Sequence, residues 1–94
     1  MDNLLRLLMG PWTTYILYQL HTNKEMRFGQ LKKQMPGISA KMLTERLRML
    51  EEAKVISRRQ EATIPPKVTY SFTARGDDLH KVLAELAKLA QKWD

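Results

Sequence analysis

Basic side chains gather in two parts of the sequence, and their chemistry suits the binding of a nucleic acid. The first group lies in a stretch with helical periodicity, and the second flanks a loop that contains Pro65 and Pro66. The residues of the two groups are Lys41, Arg46, Arg48, Arg58, Arg59 and Lys67. Guanidinium and ammonium groups donate hydrogen bonds to phosphate oxygens and to guanine O6 and N7. A single duplex could meet both groups only if the elements that carry them face the same way.

The order of elements between residues 27 and 73 predicts such an arrangement. Two short amphipathic helices meet at a tight corner at residues 35–39, and two strands then bracket the proline loop. A helix-turn-helix followed by a β-hairpin is a winged arrangement, in which the second helix enters the major groove of DNA. The predicted fold class is therefore mainly α with a small β-hairpin wing, an α+β winged helix-turn-helix. A chain of 94 residues is expected to form one domain, over residues 1–94.

The second of these helices, predicted for residues 40 to about 53, has two different faces. Leu43, Leu47 and Leu50 fall in one narrow stripe at about 100° per residue, and the opposite face is polar. Ser39 is predicted to cap the helix, because its hydroxyl can accept from an unpaired backbone N–H. The candidates for DNA contact on and before this helix are Ser39, Lys41, Met42, Thr44, Glu45 and Arg48.

Each of these side chains has a matching group on a base edge. Lys41 and Arg48 can donate to guanine, and Glu45 can accept from cytosine N4, while the carbons of Met42 and Thr44 suit a thymine methyl group. A simpler interpretation stays open, in which the two cations are solvated and Glu45 pairs with one of them along the helix. Arg46 projects nearer the leucine stripe, where it could hold a phosphate or an internal carboxylate.

The wing is predicted from two strands, at residues 55–60 and 68–73, which are rich in β-branched and aromatic residues. Because successive side chains of a strand alternate, Arg58 and Arg59 should point to opposite faces, and at most one should contact DNA strongly. Lys67 lies near the tip and is the safer candidate for a phosphate contact. Arg58 and Lys67 are therefore the predicted DNA-binding residues of the wing.

The two ends of the chain are predicted to form a homodimer interface. Residues 3–9 are apolar and too short for a stable isolated helix. A final helix over residues 74–93, capped by Thr73, carries an apolar stripe longer than a small core can cover. The predicted interface residues are Leu4, Leu5, Leu8, Leu86, Leu89 and Trp93.

Two further helices are expected before the corner. The first covers residues 12–21, and its buried face should carry Trp12, either Tyr15 or Ile16, and Leu20. The second covers residues 28–35.

Composition narrows the function further. A net charge of +6 favours a polyanionic partner, with nucleic acid ahead of a membrane surface. The sequence contains no cysteine, and no apolar run reaches the roughly 18 residues of a membrane span. A cytoplasmic protein is therefore expected.

Catalytic and metal-binding signals are weak. His21 and His80 lie far apart in sequence, and each has an ordinary structural role available, a helix-end contact for the first and an exposed helical position for the second. No nucleophile with a base, no close ligand spacing and no phosphate-binding glycine loop stands out. We expect no enzyme activity, no metal and no cofactor.

Short motifs spread over nearly the whole chain form a specific ordered set. They are Gly10-Pro11-Trp12-Thr13, Arg27-Phe28, Pro36-Gly37-Ile38-Ser39, Lys41-Met42-Leu43-Thr44, Val55-Ile56 and Pro65-Pro66. In this order they resemble the HxlR-type winged helix-turn-helix regulators, a branch related to the MarR-like proteins. The resemblance implies a homodimeric bacterial or archaeal transcription regulator, in which the terminal helices form the dimer and two recognition helices read a palindromic operator in double-stranded DNA.

The same resemblance bears on regulation. Many members of that family sense thiol-reactive compounds or oxidants through a cysteine near the N-terminus, which these residues lack. The signal would then be a bound ligand, a partner or abundance alone, and an unknown small-molecule effector between the terminal helices stays open.

Two other functions stay open at this point. A winged-helix module could bind another protein without reading DNA, although Glu45 and Glu52 are the acidic residues on the predicted recognition face. A small basic enzyme or ligand carrier is the third hypothesis.

Overall fold

The computed structural model describes residues 2–93, except for the side chains of residues 2–4 and 7. In this part of the chain the helices are α1 (Asp2–Met9), α2 (Thr13–Asn23), α3 (Phe28–Gln34), α4 (Ala40–Glu52) and α5 (Ala74–Lys92). The strands are β1 (Glu25–Arg27), β2 (Ile56–Glu61) and β3 (Lys67–Phe72). The predicted winged helix-turn-helix is confirmed: α3 and α4 form the helix pair, and β2 and β3 form the wing.

The three strands form an antiparallel sheet in the order β1-β3-β2. The wing ladder runs from Ile56 opposite Phe72 to Glu61 opposite Lys67. Strand β1 was not predicted, and it pairs with the other edge of β3, with Met26 opposite Tyr70. A three-residue strand is too short to show alternation in the sequence, and its pairing partner is distant in the chain. The wing is therefore anchored to the helical part by a third strand.

The core lies between the helix pair, α2 and one face of the sheet. The predicted leucine stripe of α4 is confirmed, since Leu43, Leu47 and Leu50 are all buried. The other buried apolar residues of the described part are Ile16, Leu17, Leu20, Met26, Leu31, Met35, Ile38, Val55, Ile56 and Tyr70. Burying this apolar surface fixes the orientation of α4, because only its polar side is left toward solvent.

Hydroxyl caps fix where α4 and α5 begin. The Ser39 hydroxyl accepts a hydrogen bond from the Met42 amide at 3.0 Å, and the Thr73 hydroxyl accepts one from the Gly76 amide at 3.2 Å. Both predicted caps are confirmed. The corner between α3 and α4 uses Gly37 at a φ of 95°, a conformation that glycine adopts without steric cost.

Helix α2 differs from its prediction at both ends. It begins at Thr13, because Trp12 has a left-handed φ of 71°, and it continues to Asn23. Ile16 and Leu20 are buried as expected, but the Tyr15 side chain is 46% exposed. The Tyr15 ring instead packs edge-on against Trp12, with ring centroids 6.2 Å apart.

Helix α5 is held to the body of the domain by its first turns. A Cβ atom at Gly76 would clash with the Val55 carbonyl oxygen and crowd the Phe72 ring, so this position needs a glycine. Leu79 and Leu83 pack against the core, whereas the later apolar residues do not belong to it. None of the described helices combines the length and the apolar composition that crossing a membrane requires.

Candidate nucleic-acid interface

The outer face of α4 presents three charged side chains to solvent. Lys41, Glu45 and Arg48 are exposed and lie about one turn apart along the helix. In the described part of the chain, no ion pair joins Glu45 to either cation. The donors of the two cations and the carboxylate acceptor are thus free for groups outside the protein.

The remaining candidates on this helix have partners within it. The Ser39 hydroxyl is engaged as the N-cap, and the Thr44 hydroxyl donates to the Ala40 carbonyl oxygen at 2.8 Å. Since its hydroxyl proton is directed at the backbone, Thr44 keeps its methyl group and oxygen lone pairs for an outside partner. Met42 is half-buried and packs against the core.

Arg46 contacts two methionines of its own helix. Its Nε donates to the Met42 sulfur at 3.4 Å, and one of its terminal nitrogens, Nη1, donates to the Met49 sulfur at 3.5 Å. The internal carboxylate that the sequence left open as a partner is not found among the described residues. Arg46 as a whole is half-buried on the flank of α4.

The ladder of the wing sorts its basic residues by face. Directly opposed residues of an antiparallel pair project from the same face, and Arg58 lies opposite Tyr70, which is 8% exposed and part of the core. Arg58 therefore projects, exposed, from the face of the sheet that the helices cover. Arg59 and Lys67 project from the other face. The predicted separation of the two arginines agrees with this register.

Arg59 is engaged with carboxylates on the outer face of the sheet. Its guanidinium lies 3.4 Å from Glu25 of β1 and 3.6 Å from Glu61 of its own strand. The hydrogen bonds to Glu25, followed by the charge of that carboxylate, raise the pKa of Arg59 above its usual value. These contacts tie the wing to β1, and they leave Arg58 as the arginine of β2 without a carboxylate partner in the described part of the chain.

The loop at the tip of the wing exposes an apolar side chain, and a lysine directly follows the loop. The Thr63 hydroxyl donates to the Pro65 carbonyl oxygen at 2.9 Å within the loop, and Ile64 between them is fully exposed. Lys67 follows at the first position of β3, exposed and opposite Glu61.

The predicted dimer residues differ in how far their side chains are exposed. The side chain of Leu4 lies outside the described residues. Leu8 is half-buried and packs against the core of its own chain, which the sequence did not anticipate. The others are open to solvent, with exposures of 53% for Leu5, 60% for Leu86, 39% for Leu89 and 78% for Trp93.

A pair of stacked histidines joins α2 to α5, a contact that the sequence did not predict because the two residues lie far apart in the chain. The rings of His21 and His80 lie with centroids 3.3 Å apart and planes tilted by 14°. Partial burial lowers the pKa of His21, the neighbouring His80 and Lys24 lower it further, and Asp77 acts in the opposite direction. Among the described residues, no group of three or more ligands could hold a metal ion.

A helix pair whose second helix exposes a charged face beside a two-stranded wing defines the class of winged helix-turn-helix proteins. The sequence model of one family in this class, described as HxlR-like helix-turn-helix, matches residues 7–94. The chain belongs to that family. This confirms the resemblance that the ordered motifs indicated.

Similar proteins carry names from the same class. The HTH-type transcriptional regulator sll1512 of Synechocystis sp. is 42% identical over 87 residues, which are 93% of this chain and 64% of that protein. The chain thus spans less than two thirds of that relative. YdzF of Bacillus subtilis, also named an HTH-type transcriptional regulator, is 40% identical over 84 residues, covering 89% of this chain and 77% of YdzF.

Solved structures give the same assignment for the fold. The reduced form of the transcriptional regulator YodB from B. subtilis superposes with a TM-score of 0.85 at 33% identity, over 98% of this chain and 89% of YodB. The family and these relatives are transcriptional regulators and not enzymes. The enzyme hypothesis and the hypothesis of a module that binds only proteins therefore gain no support from them.

Proposed function

We propose that this chain is a sequence-specific DNA-binding transcriptional regulator that acts as a homodimer on a palindromic operator. The observation that carries the proposal is the outer face of α4, where Lys41, Glu45 and Arg48 are exposed and free of ion pairs with one another. Membership in a helix-turn-helix family supports the assignment of this face to DNA.

In the proposed complex, α4 enters the major groove and the wing lies beside it. Lys41 and Arg48 donate to guanine, Glu45 accepts from cytosine, and Met42 and Thr44 line the groove with carbon. Ser39, at the start of α4, lies close to the same edges. Arg58 and Lys67 supply the wing contacts to phosphates or to the adjacent minor groove.

The dimer part of the proposal rests on the exposed apolar residues of the terminal helices. Leu86, Leu89 and Trp93 on α5 and Leu5 on α1 expose large apolar side chains. Burial of such a surface against a second copy is the simplest way to remove it from water. A two-fold dimer would present two copies of α4 to half-sites about one or two helical turns apart, roughly 34 Å per turn.

These residues include no cysteine, so none of them can sense a signal through a thiol. The proposed signal is therefore a bound small molecule, a partner protein or the abundance of the regulator. An effector that sits between the terminal helices would act directly on the spacing of the two α4 helices.

Selection of bound duplexes from random DNA tests the proposal, followed by affinity measurements at several salt concentrations. We expect a palindromic consensus and an affinity that falls steeply with salt, because each neutralised phosphate releases counterions. A protein that enriches no sequence and shows no salt dependence would not be a DNA-reading regulator.

A further inference from the structure

Arg46 is the one basic residue of α4 whose side chain is held in place without a charged partner. Its Nε lies 3.4 Å from the Met42 sulfur and its Nη1 lies 3.5 Å from the Met49 sulfur. A thioether is a weak acceptor, whereas a guanidinium has five N–H donors. Most of the hydrogen-bonding capacity of Arg46 is thus unused, and no described carboxylate competes for it.

The position of Arg46 on the helix decides what it can meet. It lies between the buried stripe of Leu43 and Leu50 and the outer face that carries Lys41. An α-helix with its side chains is about 10–12 Å in diameter, and the major groove is about 12 Å wide. When the outer face points at the base edges, a flank of the helix therefore faces the sugar-phosphate wall of the groove.

The two methionines also prepare the side chain for binding. A free arginine loses rotamer entropy when it grips a phosphate, and an arginine already ordered along Met42 and Met49 loses less. Its planar guanidinium can then offer two parallel N–H bonds to one phosphate. Leucine in place of either methionine would fill a similar volume but would accept no hydrogen bond.

We propose that Arg46 binds a DNA backbone phosphate at the wall of the major groove and that Met42 and Met49 are its positioning residues. This inference rests on the proposed function, and it adds a contact that is independent of base sequence beside the base-reading contacts of Lys41 and Arg48. It also gives Met42 a second role, since its sulfur orients Arg46 while its carbons line the groove.

The test compares two arginines in different surroundings. Affinity is measured against salt for the wild type, Arg46→Gln and Arg59→Gln, on the selected duplex and on an unrelated duplex. Arg59 is the matched control, because it is exposed and already paired with Glu25 and Glu61. We expect Arg46→Gln to weaken binding to both duplexes by a similar factor. It should reduce the salt slope by about 0.9 per chain, while Arg59→Gln leaves the slope unchanged.

Further variants separate positioning from folding. Arg46→Lys keeps the charge, so it should keep the slope while binding more weakly, and thermal unfolding monitors the fold of each variant. Met49 has no assigned contact with DNA, so the single change Met49→Leu removes one acceptor of Arg46 alone, and it should weaken binding to both duplexes at an unchanged slope. In the Arg46→Gln background the same change should have no further effect.

The outcomes distinguish the two proposals. If the wild type binds with a salt slope and folded Arg46→Gln keeps that slope, the phosphate contact is wrong and the proposed function stands. If Arg46→Gln loses affinity for the selected duplex alone, Arg46 reads a base, and the inference is again wrong. If the wild type binds neither duplex, the proposed function fails and this inference fails with it.

Discussion

Helices α4 and α5 have the same kind of amphipathic sequence, but their apolar stripes differ in how far they are buried. Each carries an apolar stripe at helical spacing, yet Leu47 in the stripe of α4 is 2% exposed and Leu86 in the stripe of α5 is 60% exposed. The partner of the first stripe is the sheet and helices of the same chain. The second stripe meets the core of its own chain only at its start, through Leu79 and Leu83. The described part of the chain supplies no partner for its later half, which is why we assign that half to another copy.

The two helices also serve the proposed function in different ways. Because the stripe of α4 is buried, its charged side is held outward in one fixed orientation. Because the later half of the α5 stripe is exposed, in the proposed dimer it would hold two copies of α4 at a fixed distance. Amphipathic spacing thus predicts a buried face but not the chain against which that face is buried.

The largest expected effect comes from a charge in the buried stripe. Leu47→Asp should prevent folding, because an unpaired carboxylate in the core costs roughly 5 kcal/mol or more, comparable with the whole stability of a small domain. Circular dichroism and thermal unfolding measure this directly. A Leu47→Asp protein with native helix content and cooperative unfolding would show that the stripe of α4 is not part of the core.

The same substitution in the exposed stripe should act on assembly alone. Leu86→Asp should leave the monomer folded and weaken the dimer by about 3 to 5 kcal/mol, since a buried charge in the seam would have no partner. Sedimentation across a range of concentrations gives the dissociation constant. Lys88→Asp is the control, because Lys88 is an exposed residue already paired with Glu85. Equal dimerisation of wild type and Leu86→Asp would remove α5 from the interface.

Next in size are the contacts to DNA, which separate base reading from backbone binding. Lys41→Ala should weaken binding to the selected duplex by about 1 to 3 kcal/mol and relax the preference at one position. Lys67→Ala should act almost equally on all duplexes if it holds a phosphate. Competition against single-base variants of the site tells these apart, and a uniform loss with Lys41→Ala would contradict its role in reading a base.

A smaller effect is expected where α4 begins. Ser39→Ala should lower the free energy of unfolding by about 0.5 to 2 kcal/mol, because the Met42 amide loses its acceptor. Chemical denaturation gives this value, and Ser39→Asp should restore most of it. If Ser39→Ala reduced affinity for DNA with no change in stability, the hydroxyl would contact DNA and the cap would be secondary.

The smallest effect should be a dependence on pH at the junction between α2 and α5. The pKa of His21 lies below its ordinary value of 6.5 in the folded chain, through burial, His80 and Lys24, with Asp77 opposing. The unfolded chain then binds more protons than the native one below that pH, so stability should fall on acidification through 6.5. Unfolding measured from pH 8 to 5 checks this. His21→Gln should flatten the curve, and an unchanged curve would exclude the pair as its cause.

The sequence predicted features that depend on local spacing. The leucine stripe of α4, the caps at Ser39 and Thr73 and the two wing strands all follow from residues close together in the chain. Strand β1 did not, because three residues carry too little pattern and its pairing is decided by β3. Whether Tyr15 or Ile16 faces the core also depended on tertiary packing, which helical spacing alone does not fix.

The candidate site likewise combines features that local spacing predicts with contacts between distant residues that it does not predict. The exposed face of α4 could be predicted from its periodicity, since a buried stripe fixes the opposite face. The pairing of Arg59 with Glu25 and the stacking of His21 on His80 join residues that are far apart in sequence. Spacing cannot reveal such contacts, because they arise only when separate elements pack together.

The structure of the protein bound to its selected duplex would test directly whether α4 reads DNA. We predict that α4 lies in the major groove, with Lys41, Glu45 and Arg48 within hydrogen-bonding distance of base edges and with the stripe of α5 buried against a second copy. A complex in which these three side chains stay in solvent while the duplex contacts another surface would show that α4 is not the DNA-reading helix.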